Sequence, residues 1–174
     1  MSRENSPRSN WIKPVAIGAV VAALALGGYL MVGQNPAAPE VTFIDLKGQK
    51  ISSQSLRGKV VMVNFWATSC TTCVKEMPQM VETYNKFKGQ GLEFVAVAMK
   101  YDPPNYVINF TETRKLPFTV ALDSGGDIAK AFNEVSLTPT TYVINKDGKI
   151  IKRYVGEPDF VALHALLGKA LAAG

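Results

Sequence analysis

An α/β fold, with a central mixed sheet flanked by helices, is the class this sequence predicts, and three observations predict it. From about Glu40 onward, apolar runs rich in β-branched residues alternate with segments of helical periodicity. The only two cysteines, Cys70 and Cys73, lie where the run Val60–Phe65 hands over to a segment with Met77, Met80, Val81, Tyr84 and Phe87 at helical spacing. Near the C-terminus, Asp147-Gly148 between two apolar runs marks a hairpin, and an antiparallel pair beside βα units makes a mixed sheet.

The chain has 174 residues, room for one ordinary domain and an appendage. The appendage comes first. Val15–Val32 carries no charge over eighteen residues, which at ~1.5 Å per residue spans roughly 27 Å, close to the ~30 Å hydrocarbon core of a bilayer. Pro14 suits the first turn of such a helix, and Trp11 and Tyr29 fall where interfacial aromatics belong. Arg3, Arg8 and Lys13 precede the run against Glu4 alone, so the positive-inside rule keeps residues 1–14 in the cytoplasm and exports everything after Val32. A cleaved signal peptide is the rival, because Pro36-Ala37-Ala38-Pro39 offers small residues near a cut. The length of the run and the crowding prolines favour an uncleaved single-pass anchor at 15–32, a tether at 33–39 and a folded domain at 40–174. A lipid-modified form is excluded by the lack of a cysteine soon after the run.

Formal net charge is +5, of which residues 1–14 supply two. The remaining basic side chains are scattered among acidic ones, without the stripe that nucleic-acid binding needs.

Within the domain, Val41–Ile44 and Gln49–Ser52 read as a hairpin across Lys47-Gly48. A buried strand over 60–65 and a helix from about Cys70 follow, the helix expected to bend at Pro78, which cannot donate to the Val74 carbonyl. Gly91–Met99 is a second buried strand. Pro103-Pro104 opens a helix closed by Leu116-Pro117, then come a strand over 118–122 and a short helix over 128–133. A strand after Pro139, its hairpin partner, and a terminal helix opened by Glu157-Pro158-Asp159 complete the domain. His164 falls beside the apolar face of that last helix, far in sequence from the cysteines, and reads as a packing or solvent-edge residue.

The cysteine spacing points to chemistry. A helix N-terminus presents unpaired N–H groups and the positive end of the macrodipole, so a thiolate there has a depressed pKa. Cys70, at the helix end, is the expected nucleophile, and Cys73, one turn further in, the thiol that resolves a mixed disulfide. A purely structural disulfide is disfavoured because so small a loop constrains the unfolded chain little. Zinc would need further ligands, and the chain offers one His and no other Cys.

Phe65-Trp66-Ala67-x-x-Cys70-x-x-Cys73 with Glu76 and Pro78, together with Leu137-Thr138-Pro139-Thr140-Thr141, resembles the thioredoxin superfamily, and within it the membrane-tethered TlpA/ResA/CcmG-like branch of bacterial thiol-disulfide oxidoreductases. The resemblance covers about the last three-quarters of the chain. It implies a thioredoxin-like fold with an N-terminal hairpin and a central αβ insert, and a cis Thr138–Pro139 bond against the cysteine pair. It also implies client contacts at Trp66 and Thr138 and a catalytic Glu76 that takes a proton from Cys73; the bland alternative is a solvated glutamate pairing with a neighbour such as Lys75. No cofactor beyond the redox-active Cys70–Cys73 pair is implied, and no metal.

Exported location and resemblance together suggest a monomer at the bacterial inner membrane that reduces specific periplasmic protein disulfides, in cytochrome c maturation or copper-oxidase assembly. A membrane thiol carrier of the DsbD/CcdA type is the implied electron donor. Thr71-Thr72 between the cysteines puts no charge beside the thiolate, which favours reduction over oxidation. Ser69 and Thr72 depart from the Trp and Pro frequent in the branch, so its potential does not transfer. A peroxiredoxin would want Thr where Ala67 stands, and a Sco-type copper chaperone a three-residue cysteine spacing. A non-catalytic redox-sensing or metallochaperone-like module for respiratory assembly is the alternative.

Overall fold

The computed structural model describes residues 35–173. The cytoplasmic segment expected at 1–14 and the anchor expected at 15–32 lie outside the described residues, and among those described no helix is long and apolar enough to cross a membrane. The elements run β1 (Thr42–Ile44), β2 (Lys50–Ser52), β3 (Val60–Trp66), α1 (Thr71–Phe87), β4 (Leu92–Ala98), α2 (Pro104–Arg114), β5 (Thr119–Leu122), α3 (Asp127–Ala131), β6 (Thr140–Ile144), β7 (Ile150–Val155) and α4 (Phe160–Ala172).

A five-stranded sheet in the order β5-β4-β3-β6-β7 forms the centre, with β1 and β2 in a separate antiparallel hairpin. β3 runs parallel to β4, and β4 to β5, while β6 is antiparallel to both β3 and β7. The sheet is therefore mixed, for the reason the Asp-Gly turn indicates: a tight hairpin joins β6 to β7, whereas β3, β4 and β5 are joined by helical crossovers. All seven residues of β3 and all five of β6 are buried, which accounts for the lack of polar-apolar alternation along them.

Alternation survives as a division between two cores. Val60, Met62 and Trp66 face Cys73, Met77, Phe94, Leu163 and Leu167 on the side of α1, α2 and α4. Val61, Val63 and Phe65 face Phe43, Ile128, Phe132 and Tyr142 on the side of α3 and the hairpin.

Two boundaries differ from expectation. The compact body begins at Pro36, not Glu40: Ala38 N–H donates to the Gly148 carbonyl and Ile150 N–H to the Pro36 carbonyl, so most of the expected tether is bound to the β6–β7 turn. The short helix α3 ends at Ala131, because Asn133 and Glu134 take left-handed backbone angles (φ 68° and 54°). α1 runs as one helix through Pro78. Both edges of the sheet are engaged, β5 by an Asp45–Ala121 bridge from the hairpin and the start of β7 by an Ala37–Lys149 bridge.

Candidate redox site

Strand register brings the site together. Phe65 pairs with Thr140 across β3 and β6, and Trp66 with Ala98 across β3 and β4. The loop 67–70 after β3, the loop 99–103 after β4 and the segment 136–139 before β6 therefore emerge at one end of the sheet. For the parallel strands this is the carboxyl end, where open α/β sheets place their sites.

Cys70 is the N-cap of α1 and is joined to Cys73 by a disulfide with a Cα–Cα separation of 5.2 Å. Its sulfur accepts a hydrogen bond from the Cys73 backbone N–H at 3.1 Å. Cys70 is partly exposed and Cys73 wholly buried. A sulfur in the capping position takes up one of the otherwise unpaired N–H donors of the helix and sits at the positive end of its dipole.

The Thr138–Pro139 bond is cis, with Pro139 buried and Thr138 partly exposed. The Tyr101 hydroxyl, on the loop after β4, lies 3.3 Å from Thr138 Oγ1. Buried Asp102 ties that loop to the cysteine loop, accepting from Thr68 N–H at 2.6 Å and from the Thr68 hydroxyl at 2.5 Å.

Glu76 is 1% exposed, which overturns the solvated alternative; Lys75 pairs with Glu157 instead, at 3.1 Å. Asn64 Nδ2 donates to Glu76 Oε1 at 3.2 Å and to Thr141 Oγ1 at 2.9 Å. Burial pushes the Glu76 carboxyl up to about 8; the Asn64 hydrogen bond works against that, and the Glu157 charge adds to it.

Trp66 is the one candidate the structure contradicts. It is 0% exposed and stacks at a tilt on Phe110, ring centroids 5.2 Å apart, so it presents no surface to a client. Its position on the inward face of a strand buried on both sides dictates this. His164 stands apart from the cysteines against Phe87 and Phe160, hydrogen-bonded with the Thr83 hydroxyl at 2.8 Å. Burial, and then Lys86, lower its pKa.

Sequence reasoning did not single out Asn64, Thr141, Thr68, Asp102 or Tyr101. Asn64 left a signal: it is the one polar residue in an otherwise apolar strand. Asp102 and Tyr101 left none, since their partners are 34 and 37 residues away.

The Redoxin family model matches residues 32–166. The chain belongs to the Redoxin family. Within that family and the wider thioredoxin superfamily it is TlpA/ResA/CcmG-like. It is similar to the thiol-disulfide oxidoreductase ResA of Bacillus thuringiensis subsp. konkukian, at 41% identity over 76% of this chain and 75% of the relative. The solution structure of a thioredoxin-type protein from Neisseria meningitidis matches with a TM-score of 0.74 and 38% identity over 81% of this chain and 93% of that one. A thiol:disulfide interchange protein of the thioredoxin family from Chlorobium tepidum matches with a TM-score of 0.73 and 28% identity, over 80% and 99%.

Proposed function

We propose that this thiol-disulfide oxidoreductase is anchored by residues 15–32 in a bacterial inner membrane and reduces disulfides of specific proteins on the periplasmic side. Its Redoxin relatives include oxidoreductases of the same activity, and the observation that carries the catalytic reading is the Cys70 sulfur capping α1 ahead of a buried Cys73.

In the reduced protein the Cys70 thiolate attacks one sulfur of a client disulfide. A Cys70–client mixed disulfide forms and the other client sulfur leaves as a thiolate. The Cys73 thiol gives its proton to the Glu76 carboxylate, and the Cys73 thiolate then attacks the Cys70 sulfur. The Cys70–Cys73 disulfide forms, the second client thiolate leaves, and two electrons have passed to the client. Glu76 suits the proton transfer because a carboxyl held near neutrality can both accept and release a proton at working pH. Pro139 and the backbone of Thr138, which precede β6 at the same end of the sheet as the cysteine loop, would receive a client strand.

Apocytochrome c before haem attachment and copper-site assembly proteins are the client classes proposed, a DsbD/CcdA-type thiol carrier the electron source, and a monomer the working unit. Direction rests on Thr71 and Thr72, both exposed and uncharged: neither stabilises the reduced thiolate as a cation would. Equilibration of the pair against a redox buffer is expected to give a potential near the −270 mV typical of thioredoxin. A value near the −120 mV of a strong oxidant such as DsbA would reverse the direction. A reporter active only outside the cytoplasm, fused after Gly174, is expected to be active, and its silence would place the domain on the other side.

A further inference from the structure

β3 carries one polar residue, Asn64, and that residue is 0% exposed. It lies directly across from Thr141 on β6 and faces α1, as Met62 and Trp66 do. Its amide nitrogen holds both Glu76 Oε1 and Thr141 Oγ1, while its own Oδ1 and Glu76 Oε2 have no hydrogen-bond partner among the described residues. A buried amide is costly to leave half-paired. This one stands beside a carboxylate that the proposed mechanism requires to be charged in one step and neutral in the next.

We propose that Asn64, held in register by Thr141, is a positioning residue for Glu76 that serves the carboxylate and the protonated carboxyl in turn by reversing the direction of its hydrogen bonds. This rests on the reading of Glu76 as the proton acceptor for Cys73. With Glu76 ionised, the amide N–H groups donate to Glu76 Oε1 and to Thr141 Oγ1, the arrangement observed. When Glu76 takes the Cys73 proton on Oε1, half a turn of the amide brings Oδ1 to the same place. There it accepts from the carboxyl O–H and from the Thr141 hydroxyl, which can donate as readily as it accepts. No heavy atom outside the amide group need move, because the terminal amide torsion is broad and roughly two-fold. One end of the amide is unpaired in either arrangement, Oδ1 in the first and Nδ2 in the second. An aliphatic residue at 64 could serve neither state, and an aspartate would add a second buried negative charge.

Charged and titratable groups around Glu76 are few. Cys73 lies one turn earlier on α1, Glu157 precedes α4 with Lys75 paired to it, and Tyr154 on β7 is the cross-strand neighbour of Thr141. Asn64 and Thr141 are the neutral partners between them.

The test is single-turnover resolution. Cys70 of the full chain is loaded as a mixed disulfide with thionitrobenzoate, and release of the coloured thiolate by Cys73 is followed against pH. Asn64→Leu is expected to move the profile up by about one pH unit and to slow release about tenfold at pH 7. That is because a hydrogen bond to the charged form is worth more than one to the neutral form. Thr141→Val is expected to move it in the same direction by less, and Thr141→Ser, which keeps the hydroxyl, to restore the native profile. In a Glu76→Gln background, Asn64→Leu is expected to leave the profile unmoved.

A native profile in Asn64→Leu overturns the proposal while a displaced one in Glu76→Gln leaves the role of Glu76 standing. A native profile in Glu76→Gln removes that role and the proposal together. Equal slowing by Asn64→Leu with and without Glu76 makes Asn64 structural only and overturns it. Should Asn64→Leu fail to fold, the Thr141 pair decides: a profile displaced by valine and restored by serine supports the proposal, and a native profile with valine overturns it.

Discussion

The face of the central sheet under α3 and the β1–β2 hairpin differs from the face under α1, α2 and α4 in how it treats polar atoms. Under α3 the core is aromatic and fully paired. Phe65, Phe132 and Tyr142 pack with ring centroids 5.1–6.1 Å apart, and the buried Tyr142 hydroxyl donates to the Phe132 carbonyl at 2.7 Å. Under α1, every one of the buried side-chain atoms without a partner among the described residues is found: Asn64 Oδ1, Trp66 Nε1 and Glu76 Oε2. The two faces share strands and burial, so hydrophobicity does not separate them. What separates them is that one face only holds the fold together, whereas the other lies behind the cysteines and holds Glu76, whose carboxyl burial pushes up to about 8. Incomplete pairing of buried polar groups marks the second.

The largest expected effect lies at the cysteines. Cys70→Ser is expected to abolish turnover and to trap no client, whereas Cys73→Ser should accumulate Cys70–client disulfides, identifiable by mass spectrometry. Adducts on Cys73 in Cys70→Ser would exchange the two roles.

Glu76→Gln is expected to have the next largest effect, and on two readouts. Disulfide exchange near neutral pH should slow and its pH profile shift. Stability should change in the opposite sense. The folded carboxyl is raised from 4.5 to about 8, so as pH rises the unfolded chain ionises first. The native protein then loses stability across that window, with nothing further lost above it. At about 1.4 kcal/mol per pH unit the ceiling is several kcal/mol. Glutamine removes the loss, so denaturant unfolding of the oxidised variant should show a gain over the native chain at pH 9 and little at pH 4. No gain at pH 9 would mean that Glu76 ionises freely where it stands.

The smallest effect belongs to the other face. Tyr142→Phe deletes the hydroxyl that pairs with Phe132 and should cost about 1 kcal/mol in unfolding free energy, leaving the exchange profile in place. A displaced profile would show that the two faces are coupled and erase the distinction.

Much of this was legible in the sequence because it is written in local pattern. Strand and helix order follows from apolar period, the β6–β7 hairpin from Asp147-Gly148, and the redox pair from its spacing at the start of a helix. What was not legible depends on which way a side chain turns. Trp66 reads as an accessible aromatic beside the cysteines until strand parity directs it into the core. Glu76, three residues past Cys73, fits a surface helix position equally well until β3 and β6 are seen to cover it. Asn64 hides in an apolar run, and Asp102 finds Thr68 only through the register of β3 on β4. The binding of Pro36–Ala38 to the β6–β7 turn uses backbone groups alone, which no side-chain pattern announces.

The bridges at the two edges of the sheet bear on life at high concentration. A protein confined to a bilayer surface meets its own copies far more often than one free in solution, and open strand edges are the templates through which such encounters become irreversible stacking. Here Asp45 of the hairpin occupies part of β5 and Ala37 the approach to β7, where exposed Lys152 and Arg153 add like charge on the remaining length. An approaching copy finds neither edge flat, apolar and unoccupied. In the anchored arrangement proposed above, two-dimensional crowding would therefore meet edges already closed to stacking.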